Sequence, residues 1–355
     1  MAEDAPIEPR HVAARAFWIA GPGRGEIRAG ALRAPREGEV LVRALASGIS
    51  RGTESLVFRG HVPPDLATAM RCPFQEGDFP GPVKYGYAMV GRVEDGAGMP
   101  SGTTARVLAG RRVFCLHPHQ DPFVVPADAV LPVPDGVPTR RAVLAANLET
   151  AVNVLWDAMP PVGVRLTVVG AGVVGCLTAW LAARIPGAEV ELVDVDPARA
   201  AVADRLGVAF AAPGEARRDR DVVVHASGNP EGVATALGIA GFEATVVEAS
   251  WFGDRPVPAP LGRWFHPGRL RLISSQVGAV APAMRGRRSH RERLGLALGL
   301  LGDDRLDVLL SGECDFEDLP ATLARLAGGK AGGKAGGKAD GTLCHTVKYP
   351  RIGEE

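Results

Sequence analysis

The chain has 355 residues, enough for two domains, and its 46% hydrophobic content can supply both cores. Its 40 basic and 40 acidic residues cancel, so no net field favours nucleic acid or an anionic membrane, and a small molecule is the expected partner. Five scattered cysteines, an odd number, do not read as a disulfide framework. With no signal-like N-terminus and no apolar run long enough to span a bilayer, a cytoplasmic protein is expected.

Between Ala16 and about Pro134 the sequence runs in short alternating segments: AFWIAG, GEVLVRALASG, YAMVGRVED, RRVFCLH and DPFVVPADAVLPVP. Alternation broken by closely spaced glycine and proline predicts a β-rich, barrel-like domain. Residues 139–159 predict a helix by length and apolar spacing.

Residues 164–196, VRLTVVGAGVVGCLTAWLAARIPGAEVELVDVD, predict a strand at 166–169, a glycine turn, a helix at 176–185 and a second strand at 190–193. In the turn, Gly170 permits the tight reversal, Gly172 lets backbone approach a pyrophosphate, and Gly175 lets the helix pack on the strand. Free amides at the helix start, including those of Val173 and Val174, suit anionic phosphates. Asp194 lies nineteen residues after Gly175, where an acid accepts hydrogen bonds from an adenosine ribose and repels a 2′-phosphate. NAD(H) is therefore favoured, while Arg199 nearby leaves NADP(H) open.

Further strands are predicted at 221–225, 244–249 and 269–278, with a helix at 232–239, so a doubly wound parallel sheet is expected. Loops at the carboxyl ends of such strands border the ligand crevice. Ser227, Gly228, Ser250 and Ser275 are candidates for cofactor contact there. A helix at 290–301, a strand at 306–312, a helix at 316–326 and a strand at 343–349 complete the pattern. Residues 327–338, AGGKAGGKAGGK, predict a mobile surface loop and not a P-loop, because no Ser or Thr follows any of its lysines.

A β-rich first half, a late nucleotide fold and a C-terminal return strand together resemble the medium-chain dehydrogenase/reductase superfamily, which includes the zinc alcohol dehydrogenases. The resemblance implies a GroES-like β-barrel catalytic domain (1–147 and 289–355), a Rossmann doubly wound parallel-sheet domain (148–288), and a homo-oligomer, expected to be a dimer. The family's Gly-Ile-Cys-Gly-Thr-Asp segment stands here as Gly48-Ile49-Ser50-Arg51-Gly52-Thr53-Glu54, and its Gly-His-Glu as Gly86-Tyr87-Ala88. The zinc-binding thiol and imidazole are both missing, and the four-cysteine lobe is absent. Only Glu149 matches a metal-side carboxylate, so no catalytic zinc is expected. The segments SGISRGTESLVFR, FCLHPHQDPFVV and WFHPGRLRLISSQVG resemble a zinc-lacking subgroup related to bacteriochlorophyllide 2-hydroxyethyl dehydrogenases.

The resemblance makes Thr53 the first candidate for proton relay and Tyr87 the second, as a phenol able to donate to a carbonyl oxygen. Arg51 is expected to neutralise the pyrophosphate. Glu149 is expected to pair with Arg51 or a histidine, or to bind a substrate hydroxyl. His117 and His119 could share a strand face and, with Glu149, hold an unorthodox metal; the simpler expectation is that they orient loops or substrate. His225, His266 and His345 carry no partner spacing and are expected to be structural. The expected activity is NAD(H)-dependent interconversion of a secondary alcohol and a ketone. A zinc-independent enoyl or quinone reductase and a non-catalytic NAD(P)H-binding protein are the alternatives.

Overall fold

The computed structural model describes residues 11–94, 104–328 and 341–350. Most of the AGGK repeat, residues 329–338, lies outside the described residues.

The first half is β-rich, as expected. Strand His11–Gly21 turns at Pro22 and Gly23 into Arg24–Arg33, a pairing the sequence reading missed because the second strand is largely polar and exposed. Strand Glu39–Ile49 is the backbone of a larger sheet. Met89–Val93 and Phe123–Pro126 pair with it, and Arg112–Cys115 and Val130–Pro132 extend the layer. Its apolar positions Val40 and Val42 are fully buried with Phe17, Met89 and Phe123, so alternation supplies one face of a barrel core. Strand Cys344–Lys348 returns to pair antiparallel with Glu39–Ile49, opposing His345 to Ile49, and Leu310–Asp315 adds in parallel at its far side.

The nucleotide half is a six-stranded parallel sheet in the order Ala209–Ala211, Glu189–Val193, Arg165–Val169, Arg220–His225, Ala240–Glu248, Arg271–Ser274. This is the order in which a dinucleotide lies across the point where strand order reverses, beside Arg165–Val169. The strand interiors are near-continuous runs of buried Val and Leu because both faces are covered.

Several boundaries differ from expectation. The helix foreseen at 139–159 is two, Thr139–Ala142 and Ala145–Ala158, and the second crosses the expected domain boundary at 147. The helix foreseen at 176–185 is Val173–Ala182, so its first turn lies inside the glycine turn. Residues 304–309 form a short helical turn and the strand begins only at Leu310. The strand foreseen at 269–278 is limited to Arg271–Ser274.

Candidate active site

Strand Arg165–Val169 delivers the chain into the glycine turn. Gly170 has φ +112°, and a Cβ there would stand 2.5 Å from Ser227 N, so only glycine fits. A Cβ on Gly175 would stand 1.9 Å from the Gly170 carbonyl, which fixes how close helix Val173–Ala182 lies to the strand. Gly172 caps that helix, is exposed and would meet nothing. The amides of Val173, Val174 and Gly175 precede the first bond back into the helix, from Cys176 N to Gly172 O. The turn is therefore a ready anion cradle.

Asp194 closes the far side. Its Oδ2 accepts from Ala171 N at 2.6 Å and its Oδ1 from Asp196 N at 2.9 Å. Arg199 pairs with Asp196 at 3.4 Å. Arg51, from the barrel half, donates to Thr342 O at 2.7 Å. Burial first, then the charges of Arg199 and Arg59, hold its guanidinium below the ordinary range. Arg199 of the nucleotide half is thus near enough to Arg51 of the barrel half for their like charges to repel.

Ser227, Gly228 and Ser250 meet at the ends of adjacent strands, with Ser250 Oγ accepting from Gly228 N at 3.0 Å. Ser275 is turned elsewhere. Its hydroxyl donates to Asp157 Oδ2 at 2.6 Å on helix Ala145–Ala158, so the helix claims its proton.

The second cluster sits where helix Arg51–Phe58 leaves strand Glu39–Ile49. Tyr87 donates from its phenol to Ser50 Oγ at 2.7 Å, and Thr53 is a further hydrogen-bond partner. Burial and then the Glu54 charge raise the phenol's pKa against the hydrogen bonds of Ser50 and Thr53, so Tyr87 stays a proton donor. Glu54 is 2% exposed; its Oε1 accepts from Ser50 N at 2.7 Å and its Oε2 meets His119 Nε2 at 3.0 Å. With Glu54 as acceptor, His119 Nδ1 accepts from Ser47 Oγ at 2.7 Å, which in turn takes the Tyr349 hydroxyl at 3.0 Å. His119 therefore orients Glu54 and is 1% exposed; its side-chain hydrogen bonds among the described residues run to Glu54 and Ser47.

The pairing expected of Glu149 is not found. Arg293 of helix His290–Leu300 holds it at 3.0 Å, and the same guanidinium bonds Asn153, Ala279 O and Val277 O. Burial pushes the carboxyl up and Arg293 pulls it back. This is an ion pair joining elements, remote from the hydroxyl cluster by its contacts. The shared strand face expected of His117 and His119 is also absent, because both lie in the connection after Arg112–Cys115. His117 stacks 4.1 Å from Phe123 and 5.4 Å from Phe74, and burial drops its imidazole to about 3.

The residues do not fit a three-ligand zinc. Ser50 and Tyr87, at the two positions where the resemblance has ligands, are hydroxyls bonded to each other. Among the described residues no group of three or more His, Cys, Asp or Glu is placed to hold a metal ion.

Known proteins place the architecture. Over 95% of this chain and 99% of the other, the structure superimposes with TM-score 0.72 and 16% identity on a short chain alcohol dehydrogenase of E. coli CFT073 complexed with NADH. The L-idonate 5-dehydrogenase of Escherichia coli gives 0.73 at 16% identity, over 96% of this chain and 100% of that one. The fold is that of the medium-chain alcohol dehydrogenases, a GroES-like domain joined to a Rossmann domain. Within that fold, L-threonine 3-dehydrogenase of Mesorhizobium japonicum is 32% identical over 101 residues, 28% of this chain. The enzyme of the same name from Anaeromyxobacter dehalogenans is 29% identical over 188 residues, 46% of this chain. The chain spans 29% and 54% of the length of these two curated relatives. No family model matches.

Sequence reasoning missed Ser47, Tyr349 and Arg293, and treated His225 as structural without its partners. Their signal is pairing across long separations, which spacing along the chain does not carry. Ser50 was noted only as a lost thiol.

Proposed function

We propose that this chain is an NAD(P)H-dependent oxidoreductase that interconverts a secondary alcohol and a ketone on a small organic substrate without catalytic zinc. The observation that carries the reading is the 2.7 Å bond from the Tyr87 phenol to Ser50 Oγ, made by two residues at positions where the resemblance has metal ligands. Nicotinamide supplies or takes the hydride when bound. The chain's own task is to hold that cofactor and to manage the substrate's oxygen and its proton.

The glycine turn, the amides of Val173 and Val174, and Asp194 hold the dinucleotide. Arg51 and Arg199 offset its charge. Tyr87, kept protonated by burial, turns its hydrogen from Ser50 Oγ to the carbonyl oxygen as negative charge develops there, and Ser50 and Thr53 then relay to the phenolate a proton taken from solvent. Glu54, held by His119, fixes Ser50 through its backbone amide. His119 and Glu54 are positioning residues. Asp194 favours NAD(H). The same reading includes pairing of two copies through strand Arg271–Ser274, an edge strand whose Leu272 is 40% exposed.

The test is a panel of alcohols, ketones and enones with NAD(H) and NADP(H), run beside metal analysis of the same preparation. Ketone reduction that persists in chelator, with zinc far below one per chain, is expected. Stoichiometric zinc whose removal stops turnover would sink the metal-free mechanism. Turnover of enones alone would replace the substrate class.

A further inference from the structure

A cluster at the carboxyl ends of two neighbouring strands has no role in the scheme above. His225 ends strand Arg220–His225, and its register partner Glu248 ends Ala240–Glu248. His225 is completely buried, with Nδ1 at 2.7 Å and 2.9 Å from the two Glu248 oxygens and Nε2 at 2.6 Å from Ser227 Oγ. A carboxylate only accepts, so Nδ1 carries a proton; in the neutral ring Nε2 then presents a lone pair. Ser227 then places its one hydroxyl hydrogen inward, on Nε2 at 2.6 Å, in preference to Asn229 O at 3.4 Å. Asn229 N donates to Ser227 Oγ at 3.1 Å, which occupies one of its lone pairs. Ser227 is exposed, so what remains for a ligand is an acceptor.

Ser250 is the complement. It stands two residues past Glu248, as Ser227 stands two past His225. Its amide donates to Glu248 Oε1 at 2.7 Å and its Oγ accepts from Gly228 N. With Nδ1 protonated, the Ser250 hydrogen finds no lone pair on His225, and Ser250 offers a donor beside the Ser227 acceptor. The arrangement is closed on the side of helix Pro230–Ile239. A Cβ on Gly232, in helix Pro230–Ile239, would stand 2.4 Å from His225 Nε2 and 2.5 Å from Ser227 Oγ. Its location is informative too: Ser227 N abuts Gly170 of the glycine turn, and the two strands belong to the half of the sheet away from Asp194.

We infer that the Glu248, His225 and Ser227 relay fixes Ser227 as a hydrogen-bond acceptor for a donor group on the nicotinamide half of the dinucleotide, a ribose hydroxyl or a carboxamide N–H. The inference rests on the dinucleotide reading proposed above. His225 and Glu248 are positioning residues for Ser227, and the relay selects a ligand by hydrogen-bond polarity. Glu248→Gln reverses that polarity. Its carbonyl keeps the Ser250 amide, its NH₂ donates to Nδ1, the ring proton moves to Nε2, and the Ser227 hydrogen swings outward to face another donor.

The experiment compares affinities of wild type, Ser227→Ala and Glu248→Gln for NADH and for ADP, which has only the adenosine half. Each variant is expected to weaken NADH by roughly threefold to tenfold, the range of one net hydrogen bond, and to leave ADP unchanged. Nitrogen-15 NMR of the imidazole, assigned with His225→Gln, is expected to show the Nδ1–H tautomer in wild type and Nε2–H in Glu248→Gln. Reduced 3-acetylpyridine adenine dinucleotide, which lacks the carboxamide N–H, separates the two donors. A wild-type preference for NADH that Ser227→Ala abolishes identifies the carboxamide; a preference that survives identifies the ribose. Unchanged NADH affinity, a parallel loss of ADP affinity, or an Nε2–H tautomer in wild type would each overturn the inference. Wild-type protein that binds neither NADH nor ADP would remove the dinucleotide reading and the inference together.

Discussion

The glycine turn and the hydroxyl cluster are built on opposite principles. At the turn, backbone makes the site: a Cβ at 1.9 Å from a carbonyl leaves position 175 no alternative to glycine, and the ligand groups are amides any sequence would supply. At Ser50, Thr53 and Tyr87, side chains make the site: Tyr87 bonds Ser50, whose backbone amide is held by buried Glu54, itself held by His119 and Ser47. The first kind of site is robust to composition and fragile to volume. The second tolerates volume and depends on every hydrogen-bond partner.

That contrast can be broken at its steepest point with Gly175→Val. The added carbons collide with Gly170 O, so NADH binding should disappear and stability should fall by more than about 4 kcal/mol in denaturant unfolding. Arg293→Ala tests the seam between the regions. It strips the partner from a buried Glu149, and urea unfolding should show a loss of about 3 to 5 kcal/mol. Tyr87→Phe removes the hydroxyl and keeps the ring. Its kcat should fall by roughly 10²- to 10⁴-fold, the usual worth of general acid catalysis, with NADH affinity unchanged; an unchanged kcat would take the phenol out of the mechanism.

The smallest effect is a slope. His117 is held neutral by burial at about 3 in the folded chain, against about 6.5 unfolded. The unfolded state therefore binds more protons between these values. The stabilisation is complete above about pH 6.5 and is lost as pH falls toward 3, by up to about tenfold in the folding equilibrium per pH unit. His117→Phe, filling the stack between Phe74 and Phe123, should flatten that part of the pH dependence of the urea midpoint.

The same division explains what was legible in the sequence. The parallel sheet, the final strand and the anion cradle followed from apolar runs, glycine spacing and one acid, because backbone demands leave residue-type signatures close together in the chain; the return of that strand to the barrel came from the resemblance. Strand Arg24–Arg33 was missed since its pairing comes from a turn and not from a buried apolar face. The partners of Glu149, His119 and His225 were missed because Arg293, Ser47 and Glu248 reach them through register and packing. Ser275 matched a crevice position by chain order, yet Asp157 competes for its hydroxyl. His117 and His119 matched a strand period, yet the strand stops before them.

The pairing of Cys344–Lys348 with Glu39–Ile49 sets an order of assembly. During synthesis the parallel sheet is complete once residue 274 has emerged, since all six of its strands lie between Arg165 and Ser274 in one continuous stretch. The barrel must wait for residue 348, and with it Tyr349, which braces Ser47. A nascent chain can therefore have a finished parallel sheet while its hydroxyl cluster is still unsupported, so the proposed chemistry would be the last property this molecule acquires.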